Sequence, residues 1–352
     1  MKRHLLLLTI AALGATLPAF ATLTYTCDPN LDATHNLTCA ALQGSTVAGV
    51  YNGIFGNSIT SNVYVKYAPI GAYGESFFNV TPVPYSVYYA ALLAKDPAAA
   101  ATLTPADPLF TYGNTDQQID ITPALASALG ITYGGANTAG VLSDGVSPCT
   151  IGVTPNCYSG LIEISNGSTY DYPASPADSV SGLDFYGIVE HETDETLGTI
   201  SCIGTNGSSQ PYDQCTPNND PNAIVTDAAP GDLFRYASAG TRSFLNAANG
   251  SNAYFSSDGG VTLMAYYINS PNNGDYGDFD FALDGSVALV QDAAASYGTL
   301  DISTDGPGGT PGPEVALLNA AGFNTVPEPG SMGLLGASLA VLTIAGIRRR
   351  RN

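Results

Sequence analysis

The sequence predicts an α+β fold, and three observations carry that prediction. Short Thr-, Val- and Tyr-rich runs bounded by Gly and Asn read as strands. Segments with apolar residues at helical spacing, opened by proline or closed by glycine, read as helices. The two kinds are mixed without a βαβ rhythm, and no internal repeat appears, which sets aside solenoids and propellers.

Taken in order, residues 22–67 read as strands and turns, and "SNVYVKYAPI" is the clearest strand, with Val63, Val65 and Tyr67 on one face. "PYSVYYAALLAKD" (84–96) reads as a helix opened by proline, and "ITPALASALGI" as a second helix ended by Gly130. "GLIEISN" (160–166) is a short strand. "SGLDFYGIVEHETDETLGT" is a third helix, for which Ser181 or Asp184 can serve as cap and Gly198 as the stop. Residues 199–227 are rich in Cys, Gly, Asn and Pro and read as one long loop. "GDLFRYASAGTRSF", "NAYFSSDGGVTLMAYYIN" and "NGDYGDFDF" follow as turns and strands. "GPGGTPGP" is a flexible spacer before the short helix "EVALLNAAGF".

Both ends read as addresses. Lys2 and Arg3 precede the apolar run "LLLLTIAALGATL" and the small-residue site "AFA", the pattern of a secretory signal peptide over residues 1–21. The far end reads "VPEPGSMGLLGASLAVLTIAGIRRRRN". Residues 331–347 are apolar and uncharged, just long enough for a thin bilayer at about 1.5 Å per residue. Arg348 to Arg351 would hold that end in the cytoplasm. The order Val326-Pro327-Glu328-Pro329, apolar helix, arginine cluster resembles the PEP-CTERM sorting signal of Gram-negative bacteria. That resemblance implies cleavage by an exosortase and delivery to the cell surface, outer membrane or extracellular matrix. Residues 22–325 then form the working domain, and 326–352 the sorting tail.

Six of the ten basic residues sit in these two segments. Lys66, Lys95, Arg235 and Arg242 remain, against 29 acidic side chains (30 less Glu328), a net charge of −25. So acidic a surface argues against nucleic acid or anionic membrane as partners, since both need basic patches, and it favours cations. Membrane contact is expected only through the C-terminal helix before cleavage. The six cysteines fall into near neighbours, Cys27/Cys39, Cys149/Cys157 and Cys202/Cys215, which in an exported chain suggests three short-loop disulfides. None is spaced C-x-x-C, which argues against a thiolate metal site.

The chemistry concentrates in "GIVEHETDETLGT". Residues four apart on a helix lie about 40° apart around its axis, so His191 and Glu195 face the same way with Glu192 beside them. In H-E-x-x-H peptidases this spacing holds zinc, and the intervening glutamate handles the attacking water. Zinc also accepts carboxylate oxygen, so His191 and Glu195 are a valid pair, with Asp194 at i+3 as a lesser variant. An exposed acidic helix would look similar. A further histidine ten residues on, as in metzincins, is missing: that position is Ser201. His35 reads as a surface residue, so the third ligand is expected to be a carboxylate. Asp275, Asp278 and Asp280 in "NGDYGDFDF" are the densest source, and Asp258 in "SSDGG" reads first as a turn.

The series "DFYGIVEHETDETLG", "DLFRYASAGTRSF", "AYFSSDGG", "NGDYGDFDF" and "EVALLNAAGF", closed by the VPEP tail, resembles a family of exported, PEP-CTERM-bearing metalloproteases described as zincin-like. The resemblance spans roughly residues 185–323. It implies a zincin-like domain with a mixed sheet and an active-site helix. It also implies His191 and Glu195 as metal ligands and Glu192 as the catalytic glutamate. Asp278 would be the third ligand, because related zincins bring a histidine-aromatic pair where this chain has Asp278-Phe279. The implied cofactor is Zn²⁺ or another divalent metal, and the implied substrate a protein or peptide. Tyr266, Tyr267 and Arg235 are candidates for oxyanion support, and Met264 for a support beneath the metal. The alternative is a non-catalytic surface or matrix protein, serving adhesion or biofilm, on a degenerate zincin scaffold.

Overall fold

The computed structural model describes residues 22–34, 38–44, 46–55, 60–103, 118–173, 181–202, 227–243, 252–268, 275–284, 288–298 and 312–325. The signal peptide, His35, Cys215, most of the spacer and the tail beyond Thr325 lie outside them. The fold is mixed α and β, with several small sheets.

The principal sheet begins with β1 (Thr22–Cys27), and its crossover runs through three short helices, α1 (Pro29–Thr34), α2 (Thr38–Gln43) and α3 (Ala48–Ile54), to β2 (Thr60–Ala68). β1 and β2 are parallel. A parallel pair needs such a crossover, which the reading of residues 22–67 as strands and turns does not supply. The helices escape detection because segments of six or seven residues are too short to show a period. Burial of Leu31, Leu42, Val47 and Tyr51, not propensity, holds them in place. The Cys27–Cys39 disulfide ties α2 back to β1.

In β2 the expected face is present: Val63 and Val65 are fully buried and Tyr67 half-buried, while Lys66 points away and pairs with Glu163 at 2.9 Å. β3 (Gly74–Phe77) lies at the sheet edge. β4 (Thr81–Pro84) leads into α4 (Tyr85–Lys95), the helix expected after Pro84, and α5 (Pro97–Ala101) follows. β5 (Gln118–Ile121) precedes α6 (Pro123–Leu129), which is capped by Thr122 and stopped by Gly130 at φ 71°. The hairpin β6 (Ala139–Val141) and β7 (Pro148–Thr150) carries the Cys149–Cys157 disulfide.

β8 (Gly160–Ser165) is an inner strand of the first sheet, parallel to β2 and antiparallel to β3. Its Leu161, Ile162 and Ile164 are fully buried, so layers cover it on both sides. β9 (Tyr170–Asp171) and β10 (Leu183–Asp184) form a short parallel pair just before α7 (Phe185–Leu197). Asp184 caps α7, its Oδ1 accepting from Tyr186 N at 3.0 Å, and Gly198 ends it at φ 135°.

α7 packs unusually close to the sheet, and two glycines permit it. A Cβ at Gly160 would stand 2.6 Å from Thr196 Cγ2, and one at Gly74 only 2.5 Å from Glu192 Oε1. Downstream, β11 (Asp227–Ala228) joins β5 and β4, while β12 (Arg235–Ser238), β13 (Thr241–Arg242), β14 (Tyr254–Phe255) and β15 (Ala265–Tyr266) form a four-stranded sheet. α8 (Pro313–Ala321) closes the described chain. One apolar cluster runs from Leu23 to Phe323 through all these layers. Cys202 is disulfide-bonded, and its expected partner Cys215 is outside the described residues. Among the described residues no helix is long and apolar enough to cross a membrane.

Candidate metal centre

The acidic helix is not a solvated one. Glu190, Glu192 and Asp194 are 3%, 6% and 0% exposed, so the reading of α7 as an exposed acidic surface fails. Only His191 and Glu195 keep partial exposure, one helical turn apart. Asp194, the lesser ligand candidate, is committed elsewhere: Tyr51 Oη donates to its Oδ1 at 2.6 Å. Burial pushes that carboxyl up to about 7.

His191, Glu195 and Asp278 converge, with one ligand atom from each lying within 4.8 Å of the others. His191 Nε2 is 3.8 Å from Glu195 Oε1 and 3.6 Å from Asp278 Oδ1. The other ring nitrogen, Nδ1, sits 2.8 Å from Val290 O. A carbonyl only accepts, so Nδ1 carries a proton, and Nε2 is the ring atom turned toward the two carboxylates. Separations of 3.6 and 3.8 Å are too long for direct hydrogen bonds. They are slightly wider than the roughly 3.3 Å between ligand atoms of a tetrahedral site with bonds of about 2.05 Å. Drawing the three atoms, which lie within 4.8 Å of one another, to that spacing would seat a cation. The donor set, one imidazole and two carboxylates, fits a divalent metal.

A second set of residues orients these three side chains. Ser76 Oγ donates to Glu195 Oε2 at 2.5 Å. Gln291 Nε2 donates to Asp278 Oδ1 at 3.2 Å, and Asp275 N to Asp278 Oδ2 at 3.1 Å. Thr199 Oγ1 donates in turn to Gln291 Oε1 at 3.0 Å. Carbonyl support for the imidazole and amide support for the carboxylate is the arrangement that fixes metal ligands. Ser76, Val290, Gln291 and Thr199 carry no motif, and sequence reading missed them. We expect Gln291→Leu to weaken divalent-metal affinity by about 10–100-fold, read by competitive titration against a chromophoric chelator. Unchanged affinity would remove Gln291 from the site.

Glu192 and Ile188 lie over Gly74, and Glu192 is buried. Burial, then the neighbouring Glu195 and Asp278 charges, drive its proton affinity well above the carboxylate norm. Burial and the charges of Asp275 and Glu195 do the same for Asp278. Without a cation, these carboxylates compete for protons.

Other candidates fall away for stated reasons. Asp258 accepts from Ser256 Oγ, Thr262 N and Thr262 Oγ1, the satisfied turn its sequence suggests. Asp280 closes a turn onto Ala282 N and Leu283 N. Ser201 Oγ donates to Asp232 Oδ1. Arg235 is fully buried: Nη1 donates to Tyr276 O at 2.7 Å, Nη2 to Ile268 O at 3.1 Å, and the guanidinium lies 4.6 Å from the Tyr267 ring centroid. It braces both ends of the segment leading to Asp278 and is not placed to support an oxyanion. Tyr267 is buried as well, its hydroxyl donating to Gly231 O. Tyr266 stays half-buried, its N–H held by Asp284. Met264 packs against the core, bonded through N to Phe255 O.

No curated protein and no solved structure matches the chain. Residues 325–351 match the PEP-CTERM protein-sorting motif, so the chain carries the signal of a secreted, surface-sorted protein of Gram-negative bacteria whose C-terminus is processed by an exosortase.

Proposed function

We propose that this exported protein is a zincin-like, metal-dependent peptidase acting on protein or peptide substrates. The observation that carries the proposal is the meeting of His191 Nε2 with the Glu195 and Asp278 carboxylates beside the buried Glu192. His191, Glu195 and Asp278 would hold Zn²⁺ or a similar divalent cation. When bound, such a cation supplies Lewis acidity, polarising a peptide carbonyl and lowering the pKa of water. Glu192 takes the proton of the attacking water as general base and delivers it to the leaving amine. Its site suits that task, because burial gives the carboxyl a high proton affinity while the cation would offset the surrounding negative charge. Ser76 and Gln291 keep the two ligand carboxylates turned inward, and Gly74 leaves the room that Glu192 occupies. Two carboxylates neutralise more of the cation's charge than imidazoles do, which favours harder cations such as Mn²⁺ relative to three-histidine sites.

The test is elemental analysis of the purified protein together with casein or gelatin cleavage. We expect one divalent metal per chain, cleavage lost to a chelator, and cleavage regained on adding Zn²⁺ or Mn²⁺. A folded protein with no stoichiometric metal and no cleavage would instead be a matrix or adhesion protein.

A further inference from the structure

The described fold runs up to the sorting motif without a linker. Phe323 is fully buried, its ring tilted against Phe55 with centroids 5.7 Å apart, and Thr325 forms an antiparallel bridge with Phe55. Thr325 N donates to Asn319 Oδ1, Tyr88 Oη donates to Ala321 O, and Asn324 Nδ2 donates to Lys95 O. The match to the sorting motif begins at residue 325 itself. Only five residues, 326–330, separate Thr325 from the apolar run 331–347. Fully extended, five residues reach about 17 Å. A compact domain of the size of residues 22–325 has a radius of gyration of about 19 Å. The tether is therefore shorter than the body it holds.

We infer that, before processing, the face around the chain exit lies directly against the bilayer that holds the chain's own C-terminal segment. The inference rests on the reading of 331–347 as membrane-crossing and is independent of the metal centre. Charge at the exit agrees with it. Of the four basic residues between the targeting segments, Arg235 is buried, Lys66 is paired with Glu163 and Arg242 is half-buried. Lys95 is exposed, and it is the residue whose carbonyl accepts from Asn324. The same last turn of α4 exposes Leu93 at 44%. A cation and an apolar side chain at the exit suit a headgroup layer. The rest of the chain is strongly acidic, and without a tether an anionic bilayer would repel it. The occupant of this face is thus a lipid surface supplied in cis.

The experiment uses the full, unprocessed chain in phosphatidylethanolamine/phosphatidylglycerol vesicles. Acetylation of Lys95 relative to Lys66 is followed by peptide mass spectrometry. The comparison chain carries about twelve Gly and Ser residues inserted after Thr325, adding a flexible reach of roughly 20 Å. We expect Lys95 acetylation to be slowed several-fold with the native tether and restored by the insertion. Equal rates in the two chains, whether both fast or both slow, would overturn the apposition. A chain that does not float with the vesicles would overturn the membrane-crossing reading beneath it. Neither result would touch the peptidase proposal.

Discussion

Replacing Glu192 by Gln is expected to lower the rate of peptide cleavage by about 10²–10⁴-fold, the usual share of a general base. Metal content and fold should be retained. Gln matches Glu in shape, so its packing over Gly74 survives, and helix α7 stays against strands β3 and β8. Removing one carboxylate from beside Glu195 and Asp278 also relieves like-charge repulsion, so the metal-free variant should unfold at the wild-type temperature or above. The loss should appear in kcat with little change in KM, because the proton transfer belongs to the transition state. Peptide cleavage at the wild-type rate by a metal-loaded Glu192→Gln protein would end the assignment of Glu192 as base. A loss of metal together with activity would make Glu192 a ligand instead.

How far the sequence anticipates this site varies by residue. Helix α7 is legible because its signals are local: a cap at Asp184, a stop at Gly198, and His191 and Glu195 one turn apart. Its burial is not legible. The partners that make a buried Asp194 tolerable, Tyr51 above all, lie 143 positions away in a helix too short to show its own period. Asp278 stands out only through the density of aspartates around it and through family resemblance. What singles it out physically is Gln291, whose amide turns the carboxylate towards His191. Ser76 reaches Glu195 from 119 positions away, and Val290 reaches His191 from 99. Supporting residues of this kind are ordinary in type and acquire a role only when the sheet edge, the helix and the late loops are brought together. Arg235 shows the opposite error. Its charge suggests chemistry, yet tertiary packing places it wholly inside, spanning two backbone carbonyls.

The second large effect follows from the proposed metal site and concerns stability; it depends on His191, Glu195 and Asp278. Stripping the cation from the wild-type protein should lower the thermal midpoint by roughly 4–8 °C. That range follows from a cation held at 100–1,000 times its Kd, which contributes about 2.7–4.1 kcal/mol, with about 1.5–2 °C per kcal/mol for a domain of about 300 residues. In the metal-free state Glu195 and Asp278 meet at His191 Nε2, and Glu192 adds a third carboxylate beside them. Like charges and burial both oppose that gathering, and a divalent cation among the carboxylates adds attractions that offset them. Asp278→Asn separates the two contributions. The variant keeps an acceptor oxygen for Gln291 but loses an anionic ligand, so its midpoint should scarcely respond to chelator. The same change removes one of the crowded charges, so the chelated variant should melt at or above the chelated wild type. These two shifts have opposite signs, and simple damage to the fold would lower the midpoint both with and without chelator. If the wild-type midpoint ignores the chelator, or if Asp278→Asn responds to it as strongly as the wild type, then Asp278 holds no metal.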